Sequence, residues 1–336
     1  MRHRLPRVLA GLAAFGLLLT CAPDRTVSAR VATTCTFATS GNVMTLDADC
    51  WTSESLIVPD GFVMDLGGNT IVGVDPSSGT FTGAIVRNVA GGTWAGVRNG
   101  TITTQGLQNA CKGGDDRLRG VMLEGAGGFV TDLSIDNINK GPSGCQEGNA
   151  IEIRSEPFDG THPATKVVEV AGNVLTNWQK TGIVVNGDVD AWVHHNVIAE
   201  SATQANLAAN SLQAGFGAKM RAEHNHIAGN SWGGPSEYVA TAILLYQSAP
   251  GTVVRQNNLM DGNADIGIYV YADGVTVDNN KVFESGPDNN QFGYDIAVGD
   301  YGTGNAITNN KAKGYATPYD GVSGGKNKAI PAPSKQ

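Results

Sequence analysis

Between residues 168 and 310 the chain repeats one short phrase six times: two inward-type residues one apart, two further positions, then asparagine. The phrases are Val168-Glu169-Val170 with Asn173, Ala191-Trp192-Val193 with Asn196, Met220-Arg221-Ala222 with Asn225, Thr252-Val253-Val254 with Asn257, Val275-Thr276-Val277 with Asn280 and Asn305-Ala306-Ile307 with Asn310. Successive asparagines lie 23, 29, 32, 23 and 30 residues apart, a near-constant circumference with loops of variable size. Self-similarity at such a period predicts a solenoid. Upstream of the asparagines stand Ile151-Glu152-Ile153, Ile183-Val184-Val185, Ile243-Leu244-Leu245, Ile268-Tyr269-Val270 and Ile296-Ala297-Val298. Period-2 alternation bounded by Gly, Asp and Asn predicts strands. It continues upstream as Ala84-Ile85-Val86 and Val121-Met122-Leu123, and a third short strand such as Val174-Leu175 follows each asparagine. Stacked turns put identical positions about 4.8 Å apart. A buried asparagine column then hydrogen-bonds to backbone and to itself inside the bend.

Compartment follows from the ends and the cysteines. Arg2, Arg4 and Arg7 precede an apolar run from Val8 to Leu19, and Val27-Ser28-Ala29 offers a small-residue cleavage site, the layout of a secretory signal. Residues 1–29 are thus expected to be removed and the protein to be secreted. Thr20 before Cys21 makes a poor lipoprotein box, so lipid anchoring is the lesser alternative. The other cysteines, Cys35, Cys50, Cys111 and Cys145, are expected to form local disulfides, Cys35 with Cys50 and Cys111 with Cys145. Cleavage removes four Arg and one Asp, leaving 19 basic and 30 acidic residues and a net charge of −11. That balance disfavours nucleic acid and anionic membrane as partners, and weighs modestly against a polyanionic glycan unless calcium or a local basic patch intervenes.

With its Gly-Ile-x-Val and Val-x-x-Asn phrases, the chain resembles the secreted right-handed parallel β-helix proteins of the pectate-lyase-like superfamily over roughly residues 56 to 315. The resemblance implies an all-β fold: a single-stranded right-handed parallel β-helix of eight or more coils, three short strands per coil. The expected organisation is a disulfide-tied N-terminal cap over 30–60, the β-helix over 61–315 and a tail over 316–336. The superfamily includes lyases, hydrolases, epimerases and adhesins, so fold alone does not deliver activity. Asp115-Asp116 lacks the companion phrases of the polygalacturonase type, and Trp192-Val193-His194-His195 echoes the pectate-lyase Trp-x-Asp-His phrase with His in the Asp position. No catalytic residue carries over.

In enzymatic members of the superfamily the substrate groove runs along the sheet bearing the Gly-Ile-x-Val phrase. Alternation gives two outward columns there. One reads Ile85, Met122, Glu152, Val184, Leu244, Tyr269, Ala297, and the other Arg87, Glu124, Arg154, Asn186, Tyr246, Tyr271, Gly299. Glu124, Glu152 and Arg154 are the candidate catalytic residues, with Arg87, Arg119 and Glu147 flanking them as substrate contacts. One coil and two residues separate the two glutamates by a diagonal of roughly 8 Å, which suits an inverting glycoside hydrolase. A lyase is the other chemistry: no cofactor is required by the sequence, but Ca²⁺ held through Glu124 and Glu152 would neutralise a uronate while Arg154 removed the adjacent proton. Equally, Arg87, Glu124 and Arg154 form a ladder of alternating sign, as a solvated sheet face does. Tyr246, Tyr269 and Tyr271 suit stacking on sugar rings, or covering the sheet under the loop from Glu284 to Gln291.

On the neighbouring sheet, His194, Glu223, Arg255 and Asp278 are expected in one column, with Asp190 facing Lys219 and Trp192 facing Arg221. Alternation is expected to separate His194, His195, His224 and His226, which disfavours a metal site. The reading is a secreted, monomeric carbohydrate-active enzyme that cleaves a polysaccharide or cell-surface glycan. The alternative is a non-catalytic extracellular glycan- or cell-wall-binding module, and a third is a purely structural surface protein.

Overall fold

A computed structural model describes residues 32–142, 145–159, 165–201, 207–235, 237–284, 290 and 292–330. The leader with Cys21, residues 160–164 of the insertion after Ser155, and 285–289 and 291 of the segment expected to cover the tyrosines lie outside the described residues.

The chain winds as a parallel β-helix. One face is a ten-stranded sheet in strict chain order, from Leu56–Val58, Ala84–Asn88 and Arg119–Glu124 through Asn149–Ser155, Thr181–Gly187, Asn210–Gly215 and Thr241–Tyr246 to Ile266–Tyr271, Ile296–Asp300 and Thr317–Asp320. The other two faces are built the same way. Lys166–Ala171 stacks on Val189–His194 and then Lys219–Glu223, while Val174–Thr176 stacks on Val197–Ile198 and then His226–Ala228. The inward residues meet in the middle: Ile151, Ile153, Ile183, Val185, Leu212, Ala214, Ile243, Leu245, Ile268 and Val270 are all fully buried.

The asparagine column forms as expected. Asn173, Asn196, Asn225, Asn257, Asn280 and Asn310 each donate Nδ2–H to the Oδ1 of the next, at 2.9 to 3.1 Å, and Asn327 receives the last of these bonds. Each Nδ2 also donates to a carbonyl of the preceding coil, as Asn225 does to Val193 at 2.9 Å. The residue before each of the six is left-handed: Gly172, His195, His224, Gln256, Asn279 and Asn309 have φ of 67°, 55°, 56°, 57°, 55° and 58°. In the coils upstream the asparagine is replaced. Leu133 fills the position and donates its backbone N–H to Asn173 Oδ1, and Gly100 pairs with Leu133. Neither Asn137 nor Asn139 joins the column.

The glycine of the Gly-Ile-x-Val phrase has a packing reason. A Cβ on Gly182 would stand 2.6 Å from the Ser211 carbonyl, and one on Gly267 would stand 2.7 Å from that of Ala297. The next coil passes too close for any side chain there.

Register corrects four expectations. A coil, Asn210–Gly215, lies between Val184 and Leu244, so Gln213 and Gly215 enter the two outward columns. It escaped the pattern because Leu212-Gln213-Ala214 lacks β-branched residues. Arg87 pairs with Met122, one position from the Glu124 column, while Glu124 does pair with Arg154. Tyr269 pairs with Gly299, and Ala297 is buried. Thr317–Asp320 and Lys328–Ile330 stack on the preceding coil, so β-helix extends into the stretch expected as a tail; Pro318 and the glycines around Ser323 disguise the alternation.

Both disulfides form, Cys35–Cys50 with Cα atoms 5.0 Å apart and Cys111–Cys145 with Cα atoms 5.5 Å apart. They suggest extracellular exposure. No helix among the described residues is long and apolar enough to cross a membrane.

Candidate functional site

Three clefts lie along the outer surface of the ten-stranded sheet and its margin. The first, of about 310 Å³, is lined by Arg117, Arg119, Glu152, Arg154, Asn186 and Phe216 among others. The second, of about 350 Å³, includes Lys180, Asn210, Glu237, Leu244, Tyr246 and Tyr269. The third, of about 510 Å³, lies where Tyr271 and Tyr301 meet Gln247 and Asp273.

Arg154 is the centre of the first cleft. Its guanidinium lies 2.5 Å from Glu124, 2.6 Å from Asp115 and 3.9 Å from Glu152, so three carboxylates converge on one cation. Arg87 reaches Glu124 from the other side at 3.4 Å. Glu152 stands over the sheet rather than in the core, yet it is 3 % exposed because the loop at Gly114–Arg117 covers it. Its carboxylate accepts from Arg119 Nε at 2.5 Å and from Asn149 Nδ2 at 2.8 Å. Burial alone would raise the Glu152 pKa, but the charge and hydrogen bond of Arg119, then Asn149 and Arg117, outweigh it and hold the group below the usual glutamate value. Asp115 is likewise lowered by its hydrogen bond to Arg154. Burial opposes the Arg154 charge, but the Asp115 hydrogen bond and the fields of Glu152 and Glu124 push its pKa up.

These environments change the expected roles. Glu152 is kept ionised and is unsuited to donate a proton as a general acid. Arg154 is held more firmly protonated, the reverse of what a base requires. The two glutamates do not suit Ca²⁺ either, because the Arg154 guanidinium already supplies the cation between them. Arg119 is 1 % exposed, and its guanidinium donates to the carbonyls of Gly114, Asp115 and Arg117 as well as to Glu152, so it fixes the covering loop. Glu147 does not reach the groove. It is fully buried, pairs with Lys140 at 3.6 Å and accepts the backbone N–H groups of Lys112 and Leu118, which anchors the disulfide-linked loops.

Downstream the surface turns aromatic. Tyr246 and Tyr271 stack with centroids 5.4 Å apart and planes at 18°, because both lie in one column on adjacent coils. Tyr269 meets Tyr271 edge-on at 6.5 Å. Two residues that the sequence reading passed over extend the array at both ends: Phe216 packs on Tyr246 at 5.4 Å and Tyr301 on Tyr269 at 5.2 Å. Both lie just past a strand end, where alternation no longer assigns a face. Between the charged and aromatic ends the column reads Arg154, Asn186, Gly215, Tyr246, and the Asn186 side chain fills the space over Gly215, its Oδ1 2.9 Å from where a Cβ would stand.

The second charged stripe follows its expected register, His194 with Glu223, Glu223 with Arg255 and Arg255 with Asp278. Lys219 pairs with Asp190 at 3.2 Å, and Arg221 lies 4.5 Å over the Trp192 ring. The histidines are closer than alternation implies. His194 and His195 approach Nδ1 to Nδ1 at 2.9 Å, and His195 stacks on His224 at 5.3 Å, because the left-handed bend swings both flanking rings to one side. His194 Nε2 is held by Glu169 at 3.0 Å.

Residues 119–314, more than half of the chain, match the family described as the right handed beta helix region, and the chain belongs to that family. Among solved structures, the crystal structure of the Dettilon tailspike protein is similar, with a TM-score of 0.43 and 12% identity over 86% of this chain and 55% of the tailspike chain. The chain thus spans about half the length of that protein. No curated protein matches.

Proposed function

We propose that this protein is a secreted glycan-binding β-helix that lays a saccharide chain along its ten-stranded face. The observation that carries the reading is the continuous array Phe216, Tyr246, Tyr271, Tyr269 and Tyr301, in which each ring touches the next. Tyr271 and Tyr301 are 45 % and 40 % exposed, an unusual outlay of aromatic surface for a solvated sheet face. Sugar rings present apolar faces that stack on such platforms, while tyrosine hydroxyls remain available to their hydroxyl groups. Stacked coils supply a linear row of contacts, which fits a polymer better than a compact ligand.

Binding is favoured over cleavage because the Arg154 cluster holds its charges in place. Glycoside hydrolysis needs one carboxyl protonated and the other ionised, and the buried Glu152 is kept in the ionised state. Of the carboxylates expected to cleave, Glu124 alone is open to solvent, its side chain 35% exposed. A polysaccharide panel tests both readings at once. Retention of a glycan by the purified chain, weakened at least tenfold by Tyr271→Ala with an unchanged circular dichroism spectrum, is the expected result. Unsaturated products or new reducing ends on the same panel would replace the binding reading with a lyase or a hydrolase. Retention that is indifferent to Tyr271→Ala would remove the aromatic platform as its basis.

A further inference from the structure

We infer that Lys281, Lys311 and Lys328, with Lys326 beside them, form a docking row for a linear polyanion of closely spaced phosphate groups. The row stands on strands that follow the asparagine column, in a different sheet from the ten-stranded face, so it is independent of glycan binding there.

The first observation is register. Lys281 pairs with Lys311 and Lys311 with Lys328, so one position carries an ammonium on three successive coils. Coils repeat at about 4.8 Å, which makes the row about 10 Å long. All three residues are exposed. Like charges directly opposite on a sheet are destabilising, and the charged columns already described avoid them. Asp190 faces Lys219, Glu124 faces Arg154, and Glu223, Arg255 and Asp278 alternate in sign. The lysine row departs from that pattern.

The second observation is a missing counter-charge. Residues 301–330 contain Lys311, Lys313, Lys326 and Lys328 against Asp320 alone, in a chain of net charge −8. Asp320 belongs to the ten-stranded sheet, where it accepts from the Tyr301 hydroxyl at 2.9 Å. Asp278 is nearer the row but is engaged by Thr308 Oγ1 and Asn309 Nδ2, each at 2.7 Å. Among the described residues Lys281, Lys311, Lys326 and Lys328 make no ion pair.

The third observation is a space that these lysines share. A cleft of about 430 Å³ is lined by Asp278, Asn279, Asn309, Lys311, Lys326 and Lys328. Three ammonium groups border it against one carboxylate, which sets it for an anion. Lysine acts on phosphate as a compact point charge, and no arginine fork lines the cleft to read a planar carboxylate. Lys281 continues the row outside the cleft, which suits a chain of anionic groups better than a single ion. An anionic membrane fits less well. Its extended plane would meet the acidic remainder of the surface, whereas a flexible chain touches the row alone.

Fluorescence anisotropy of labelled long-chain polyphosphate, titrated with the full chain at physiological ionic strength, tests the inference. Polyphosphate is expected to bind at least tenfold more tightly than polyglutamate of equal length, and inorganic phosphate to compete only at far higher concentration. Lys311→Gln and Lys328→Gln combined are expected to weaken polyphosphate at least tenfold, with a thermal midpoint no lower than wild type because both residues are exposed. Lys219→Gln, which removes a lysine already paired with Asp190, and Tyr271→Ala, which breaks the aromatic array, are expected to leave binding unchanged. Equal binding of polyglutamate would overturn the phosphate assignment, and equal competition by inorganic phosphate would overturn the linear polymer. Capture by phosphatidylglycerol vesicles as tight as polyphosphate, and lost in the same double variant, would replace the polymer with a membrane surface. An indifferent double variant, or no polyphosphate binding at all, would remove the row as a docking site and leave the glycan-binding reading as it stands.

Discussion

Glu152→Gln is the substitution that an active-site reading would choose to abolish turnover without harm to the fold. The structure predicts the opposite emphasis. Glu152 is the carboxylate that answers Arg119, whose side chain is 1 % exposed, and it contributes to the field around Arg154 as well. Gln keeps a hydrogen-bond acceptor for Arg119 but removes the charge, leaving a buried guanidinium uncompensated. Removing one partner of a buried ion pair costs about 3–5 kcal/mol, and the retained acceptor places the expected loss toward the lower end, roughly 3 kcal/mol. The sign with pH follows from the direction of the Glu152 shift. Its native pKa lies below the ordinary glutamate value of 4.5, so its contribution is fully present above that value and is lost as pH falls through the native pKa. Urea unfolding at pH 7 and at pH 3, on wild type and Glu152→Gln, reads both predictions. The gap should be near its full size at pH 7 and clearly smaller at pH 3. A gap under about 1 kcal/mol at pH 7, or one that does not change with pH, would refute the account of Glu152 as the buried counter-charge of Arg119.

Asn225→Ala removes the middle of the asparagine column: the Val193 carbonyl and the Asn196 backbone N–H both lose a partner. Two orphaned buried groups at about 1–3 kcal/mol each predict a loss of roughly 2–6 kcal/mol in chemical denaturation. Lys180→Met should stabilise the protein, since Lys180 titrates near 8 against 10.5 for the free side chain. The gain is at most roughly 3 kcal/mol at pH 7; it is fully present below pH 8, shrinks as pH rises and is gone above 10.5, because the unfolded chain binds the extra proton only in that window. Unfolding curves between pH 7 and 10.5 measure it. Gly182→Ala drives a methyl group to 2.6 Å from the Ser211 carbonyl, and a lowered unfolding midpoint with destabilisation of about 1–3 kcal/mol is expected.

What the chain reveals before any coordinates depends on how many neighbours a residue needs to define its place. The column from Asn173 to Asn310 is legible because each asparagine repeats the same local geometry: an inward pair, a left-handed residue and a bend. The pairing of Glu124 with Arg154 and of Tyr246 with Tyr271 is legible for the same reason, once turns of equal phase are laid over one another. Phase fails where the inward residues lose their branched character, as at Leu212 and Ala214, and where the chain turns off the strand, as at Phe216 and Tyr301. It also says nothing about depth. Glu147, Arg119 and Glu152 all look like surface charges in an alternating pattern, yet loops from other coils close over them. Glu147 becomes an anchor for Lys112 and Leu118, and Glu152 a counter-charge for Arg119. The same closure makes Arg117 and Lys180 informative. In sequence they are two scattered cations of an acidic chain; under the loops Lys180 donates to the Ala208 carbonyl, and Arg117 lies in the field of Glu152 and Glu147. A solenoid repeats its scaffold and varies its loops, so its fold is written in the periodic positions. The ligand is selected by what the aperiodic segments bury against them.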